Sequence, residues 1–340
     1  EVFVMFKRML VILLIAVAVA TISVQPSLAA VTWKLSHHKP LDSDIGKDMQ
    51  KLAEDIERVT EGRVKVKVFP AGQLGNSEMA IERTSLGTID MMLGYPNSEL
   101  SNALDIYALP GLAIDYEQVA KVYGRGSPFA KHLDKLFAEQ DLHVMATYTM
   151  PFCGLWFSQL PQKDPKNPNI KHGEKIRVPG INCFRFPGEA FGYNVASLPF
   201  SEVFTALQTG VVDGVYGPSA ESAYTSFRDV VKVYIPVNLQ PDMFFVLINK
   251  KAFEKLQEKD RKAITELGLK FEQAGFKNGA KKAAMWDKRI SDYGIKILTL
   301  SKEESEAFKK RAIDYSWPKL EKSIGSTYDA GIAAWKESLK

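Results

Sequence analysis

Arg177 stands in a short segment, Lys175-Ile176-Arg177-Val178, closed by Pro179-Gly180. Strand alternation puts Ile176 and Val178 on one face and Lys175 and Arg177 on the other. A guanidinium presents a planar fork of N–H donors, which suits two-point capture of a carboxylate. The Pro-Gly pair ends the strand, and ligands of open α/β sheets gather beyond the carboxyl ends of strands. Anion binding is therefore the chemistry this segment offers. The usual tools of catalysis are missing. The sequence holds no Gly-x-Gly-x-x-Gly after a strand, no P-loop, no His-Glu-x-x-His and no Gly-x-Ser-x-Gly. Gly124-Arg125-Gly126 runs into Ser127-Pro128 and reads as a turn. The adjacent side chains of His37 and His38 diverge, so the pair is expected to line a polar cleft and not to hold a metal. Cys153 and Cys183 are the two cysteines. Whether they form a disulfide stays open, and nothing marks either as a nucleophile with a base beside it. The expectation is a binding protein, not an enzyme, with no cofactor and no metal.

Positioning such a site requires an open sheet. Val31-Thr32-Trp33-Lys34-Leu35 reads as a strand, and Met49, Leu52, Ala53, Ile56 and Val59 recur at helical spacing up to Gly62. Val64, Val66 and Val68 alternate with Arg63, Lys65 and Lys67, which predicts a second strand and hence a right-handed β-α-β crossover. A module then occurs twice. Ser77-Glu78 leads through a helix to Leu86-Gly87-Thr88-Ile89-Asp90, then a strand ending Gly94-Tyr95-Pro96. Ser201-Glu202 leads through a helix to Thr209-Gly210-Val211-Val212-Asp213, then a strand ending Tyr216-Gly217-Pro218. Each copy is expected to start on a serine N-cap and to stop on a left-handed glycine. Two α/β lobes of similar plan follow, with Tyr95 and Tyr216 facing one cleft. Glu258 to about Asp292 predicts a helix about 45–50 Å long unless Gly268, Gly275 or Gly279 kinks it, enough to cross both lobes. Ile295–Leu300 reads as a strand, and 303–340 as mostly helix.

The chain of 340 residues exceeds what one core usually fills, which also favours two lobes. Its 44 basic and 40 acidic residues leave a net charge of +4, and no basic block, Lys281-Lys282 included, is dense enough to track a nucleic acid. Near the start, Lys7 and Arg8 precede an unbroken apolar run from Met9 to Ala20, and Ser27-Leu28-Ala29 fits a cleavage site. Residues 1–29 are read as a signal peptide, with Glu1–Val4 as an upstream extension, and the mature protein as exported to the periplasm without stable membrane insertion.

Several of these segments together resemble a family. Val64–Gly75 (VKVKVFPAGQLG), Leu86–Asp90 (LGTID), Lys175–Pro179 (KIRVP) and Ser201–Gly214 (SEVFTALQTGVVDG) are similar, in order, to the solute-binding proteins of tripartite ATP-independent periplasmic (TRAP) transporters, the DctP family. The resemblance spans nearly all of the chain after residue 29. It implies an α/β, two-lobe periplasmic binding protein fold, its lobes joined by crossing strands and a long spanning helix. It implies that Arg177 pairs with the carboxylate of a small organic ligand, and that the partners are membrane permease subunits driven by a sodium gradient. The lobes are expected at 30–150 with 243–282, and at 151–242 with 283–340.

Two departures from the family pattern bear on the ligand. Many members carry a second Arg where this chain has Trp156, and an Asn where it has Gly217 after Tyr216. Both changes remove polar anchors. They leave Trp156, Tyr216, Phe184 and Phe244 as aromatic walls, Tyr95, His37 and His38 as further lining, and an aromatic or largely apolar monocarboxylate as the expected ligand. The alternatives are a sensor that presents its ligand to a receptor, and a secreted enzyme on the same scaffold.

Overall fold

The computed structural model describes residues 30–340; the expected signal peptide lies outside them. β1 (Val31–Ser36), α1 (Asp44–Val59) and β2 (Val64–Phe69) form the crossover read from the sequence, with β1 and β2 parallel. The hydroxyl of Ser43 caps α1 by accepting from Gly46 N at 3.0 Å, and Met49, Leu52 and Ile56 bury its apolar stripe. α2 (Ser77–Ser85), β3 (Met91–Gly94), α3 (Tyr116–Tyr123) and α4 (Pro128–Ala138) follow. Then comes β4 (Leu142–Phe157), a strand of 16 residues.

The second half holds β5 (Lys175–Val178), α5 (Asn182–Ala190), β6 (Asn194–Ser197), α6 (Val203–Gln208), β7 (Gly214–Ser219), α7 (Ala220–Phe227) and β8 (Val233–Ile235). β9 (Pro241–Asn249) leads to α8 (Lys250–Glu254), α9 (Glu258–Asp292), β10 (Lys296–Ile297), α10 (Lys302–Ile324) and α11 (Tyr328–Ser338). The sheet runs β2-β1-β3-β9-β4-β7-β5-β6, with β8 pairing β4 and β10. β4 pairs antiparallel with β9 along its first part and with β7 and β8 along its last, so one strand crosses from one lobe to the other. Its register shifts between Thr149 and Phe152, around Pro151, which has no N–H to give the ladder. α9 spans both lobes beside it as one helix, unbroken at Gly268, Gly275 and Gly279. Two apolar clusters result: a large one, and a smaller one around Trp156, Tyr234, Trp286 and Ile290 in the second lobe.

Local expectations needed correction. Asn76, not Ser77, caps α2, its Oδ1 accepting from Met79 N at 2.9 Å. Ser201 falls inside a 3₁₀ turn (Phe200–Glu202), and α6 starts without a side-chain cap. The glycine stops hold: Gly87 and Gly210 have φ of 78° and 72°. The strand expected over 295–300 shrinks to Lys296–Ile297, because its partner β8 is itself only 3 residues long. Residues 283–340 do not side with the second lobe as a block. α10 packs on α5 and on the 3₁₀ turn Asn102–Ala108, and α11 packs on α4. The indoles of Trp317 and Trp335 donate to first-lobe carbonyls, Pro110 O at 3.1 Å and Leu112 O at 2.7 Å. Cys153 and Cys183 are both free and buried, and Cys183 Sγ donates to Asp105 O at 3.0 Å.

Candidate ligand-binding site

β5 lies between β6 and β7, so Arg177 enters the interior from a central strand. It is 2% exposed, while Lys175 on the same strand face is exposed. Arg177 Nε donates to Leu198 O at 2.8 Å, but Nη2 has no hydrogen-bond partner among the described residues. A buried guanidinium with donors to spare is costly unless an anion completes it. Burial works against its charge, and Tyr95, Glu78 and Asp242 work for it.

The cavity that Arg177 enters has about 430 Å³ of empty space, its mouth included. Tyr95, Phe184, Gly217 and Phe244 line it too, so five of the nine candidate residues meet there. Gly217 has a φ of 124°, and a Cβ on it would come within 3.2 Å of Pro179 and 3.5 Å of Phe184. The glycine thus lets the end of β7 close onto the aromatic wall. His38 packs its ring edge on Phe200 at 5.2 Å and tilts against Phe244 at 5.6 Å. It lines an adjoining chamber behind Phe200 with Glu78. His37 is 2% exposed, neither ring nitrogen has a partner among the described residues, and burial lowers its pKa to about 4.

Trp156 and Tyr216 do not reach the cavity. Trp156 stacks on Tyr234 at 3.9 Å in the second-lobe core, where its Nε1 donates to Pro218 O at 2.9 Å. Tyr216 lies between Phe184 and Phe191, with its hydroxyl bonded to Gln240 Oε1. Strand alternation accounts for this: Val215, Trp156 and Tyr234 belong to the cluster on one side of the sheet, Tyr216 and Leu155 to the other.

Sequence reasoning missed Phe200, Tyr107, Lys39, Ser222 and Asp242. Lys39 is 2% exposed; its Nζ donates to Ser222 Oγ at 3.3 Å and sits 3.9 Å above the ring of Phe200. Burial pushes its pKa down to about 8, against the pull of Asp242 and Glu221. Burial likewise raises Asp242, opposed by Lys39, and pushes Glu221 up to about 7. The signal available was position: Lys39 follows β1 at its carboxyl end, where open sheets place ligand groups.

A latch joins the lobes at the rim. Ser98 N donates to Gly180 O at 3.1 Å, and Asn182 N donates to Ser98 Oγ at 3.1 Å. Ser98 Oγ in turn donates to Asp105 Oδ2 at 2.7 Å. α5 has no side-chain cap of its own, so this first-lobe pair serves its N-terminus. Burial raises Asp105 to about 6.

These shifts pull in opposite directions. Glu221 and Asp105 are raised to about 7 and 6, so the folded state holds extra protons and they add stability as pH falls from 8 towards 4. His37 and His143 are both lowered to about 4, so the unfolded state takes the protons and stability is lost as pH falls from about 7 towards 4. Lys39, lowered to about 8, has the same sign as the histidines at higher pH. The midpoint of urea unfolding is therefore expected to vary little between about pH 5 and 8. A steep fall of the midpoint from about pH 7 to 5 would show that the buried acids are ionised without cost.

The sequence matches the family model described as bacterial extracellular solute-binding protein, family 7 (DctP), over residues 35–322. The C4-dicarboxylate-binding periplasmic protein DctP of Rhodobacter capsulatus is 28% identical over 257 residues, 74% of each chain. The fold is similar to that of the sugar acid binding protein DctPAm of Advenella mimigardefordensis in complex with galactonate, with a TM-score of 0.82 at 23% identity, covering 92% of this chain and 99% of that one. A TRAP periplasmic solute-binding protein of Desulfovibrio salexigens with bound orotic acid gives a TM-score of 0.81 at 21% identity, covering 90% and 98%. Members of the family are transport proteins that bind solutes, and their ligands differ widely. Among the described residues no helix is long and apolar enough to cross a membrane.

Proposed function

The chain belongs to family 7 of the bacterial extracellular solute-binding proteins, and from that premise we propose that it captures an aromatic or otherwise largely apolar monocarboxylate between its lobes. It then delivers the ligand, unchanged, to the permease subunits of a sodium-coupled TRAP importer from the periplasm. The observation that carries this reading is Arg177: a guanidinium 2% exposed, its Nη2 unpartnered among the described residues, in a cavity walled by Tyr95, Tyr107, Phe184, Phe200 and Phe244. A carboxylate completes the cation, and the rings take an apolar body. Residues 30–150 with 243–282 supply one wall and 151–242 the other, and the C-terminal helices brace both. Ligand favours the closed state by bridging the walls.

A thermal-shift panel tests the ligand class. Aryl and branched keto or hydroxy acids should stabilise the protein, by about 2.7 kcal/mol at 100 times Kd. Stabilisation by succinate, malate or sialic acid, with none by any aryl or branched acid, would overturn it. X-ray scattering with the best acid of that panel should show a smaller radius of gyration than without it. An unchanged radius argues for a rigid site.

A further inference from the structure

Asp242 is the one carboxylate among the groups lining the cavity with Arg177. It stands at the start of β9, in Pro241-Asp242-Met243, whereas Arg177 comes from β5. Its two oxygens are used differently. Oδ2 accepts from Ser219 N at 3.2 Å and from Ser222 Oγ at 3.1 Å. No donor among the described residues bonds to Oδ1. Lys39 is the nearby cation, and its Nζ bonds to Ser222 Oγ, which in turn donates to Asp242 Oδ2. Asp242 is half-buried, so Oδ1 is open to the cavity; a ligand that closes the chamber takes it from water, and one that brings a donor offsets that cost.

Resting on the carboxylate reading above, we propose that Asp242 is a specificity-determining residue that accepts a hydrogen bond from a neutral N–H or O–H of the ligand. The ligand class is then a carboxylate with a donor on the rest of its body, held at two points: Arg177 takes the carboxylate and Asp242 the donor. A neutral donor fits better than an ammonium. Arg177 and Lys39 already place two positive charges around the chamber, and Lys39 offsets the charge of Asp242. A site built to satisfy a buried acceptor rejects an isostere that lacks the donor far more strongly than an apolar wall rejects a missing methylene.

Matched pairs of acids test this by calorimetry. Pyrrole-2-carboxylate is set against furan-2-carboxylate, 4-hydroxyphenylacetate against 4-methoxyphenylacetate, and the five-membered lactam acid against its lactone twin. For at least one pair the wild type should bind the donor-bearing member about 10- to 100-fold more tightly, the worth of a hydrogen bond to a charged group. Asp242→Asn keeps an acceptor for Ser219 N and Ser222 Oγ but turns the free oxygen into an NH₂. It should abolish that preference while leaving the donor-free twin within a few-fold of wild type. Asp242→Ser, which is smaller, guards against misfolding of the first variant, with circular dichroism and the unfolding midpoint as checks. Equal affinity within every pair, or a preference that survives both variants, overturns the assignment of Asp242 and leaves the carboxylate reading standing. If no acid of the panel binds, both fall. A ligand preference for the ammonium form, seen as tighter binding of 4-aminomethylbenzoate than of 4-hydroxymethylbenzoate, overturns the neutral-donor assignment.

Discussion

Replacing Arg177 with alanine should lower affinity for the best acid of the thermal-shift panel by roughly 10²- to 10³-fold, while the ligand-free protein unfolds no earlier than wild type. The first half follows from desolvation. Closing the cleft removes water from the ion pair, and deleting one partner of a buried pair costs about 3–5 kcal/mol, at about 1.4 kcal/mol per decade of affinity. The second half follows from what Arg177 lacks. Its Nε bonds to Leu198 O, but Nη2 is unpartnered among the described residues, and burial already weighs against its charge. Removing such a cation relieves a cost in the empty site, and β5 keeps its place through β6 and β7 on either side. Arg177→Lys keeps a charge but loses the fork, so its affinity should fall clearly below wild type. Isothermal titration of the three proteins, with their unfolding midpoints, decides the matter. Wild-type affinity in a folded Arg177→Ala would make Lys39 the anion's partner and remove Arg177 from the site.

The fold was legible because its signals are periodic and local. α1, β2 and α9 each show in the sequence as a stripe or an alternation that burial alone dictates. Arg177 drew attention as the proposed anchor for a different reason: an arginine between Ile176 and Val178 is out of place on a buried strand unless it has work there. The walls were harder to read. Trp156 and Tyr216 are aromatic and sit on strands beside the site, but composition does not say which sheet face a side chain takes. A bulge between Cys153 and Leu155 shifts the pairing of β4 with β7, so counting along the strand misplaces Trp156. Lys39 and Asp242 were missed because their meeting is tertiary. Lys39 reaches Ser222 across 183 positions, and Ser222 reaches Asp242 across 20. Nothing in His37-His38-Lys39-Pro40 marks the lysine for burial beside His37. Asp105 is legible only in space for the same reason, since it serves the start of α5 from a distant turn.

The largest loss of stability should come from Glu272→Ala, outside the cavity. Glu272 lies on α9, 2% exposed, with Oε1 accepting from Arg125 N at 2.7 Å and Oε2 from Thr147 N at 2.8 Å. Thr147 stands on β4 just after its first register shift, between Val144 and Ala146. One turn earlier on α9, Gly268 lets the helix rest on that bulge: a Cβ there would come within 2.3 Å of Met145 O. Further along the helix, Trp286 and Ile290 insert into the second-lobe cluster. α9 is thus fixed to the first lobe by a carboxylate and a glycine, and to the second by apolar packing. Alanine at 272 leaves one buried backbone donor, Thr147 N, and one half-buried, Arg125 N, unmet, at about 1–3 kcal/mol for the first and less for the second, so a loss of about 2–4 kcal/mol is expected in urea unfolding. Glu272→Gln keeps one acceptor oxygen and should lose about half as much. Affinity for the panel acid should fall less than about tenfold under conditions where the variant is folded, because no group of the cavity is touched and distant sites add independently. A Glu272→Ala protein within about 0.5 kcal/mol of wild type would mean that water reaches both donors and that apolar contacts alone hold the helix.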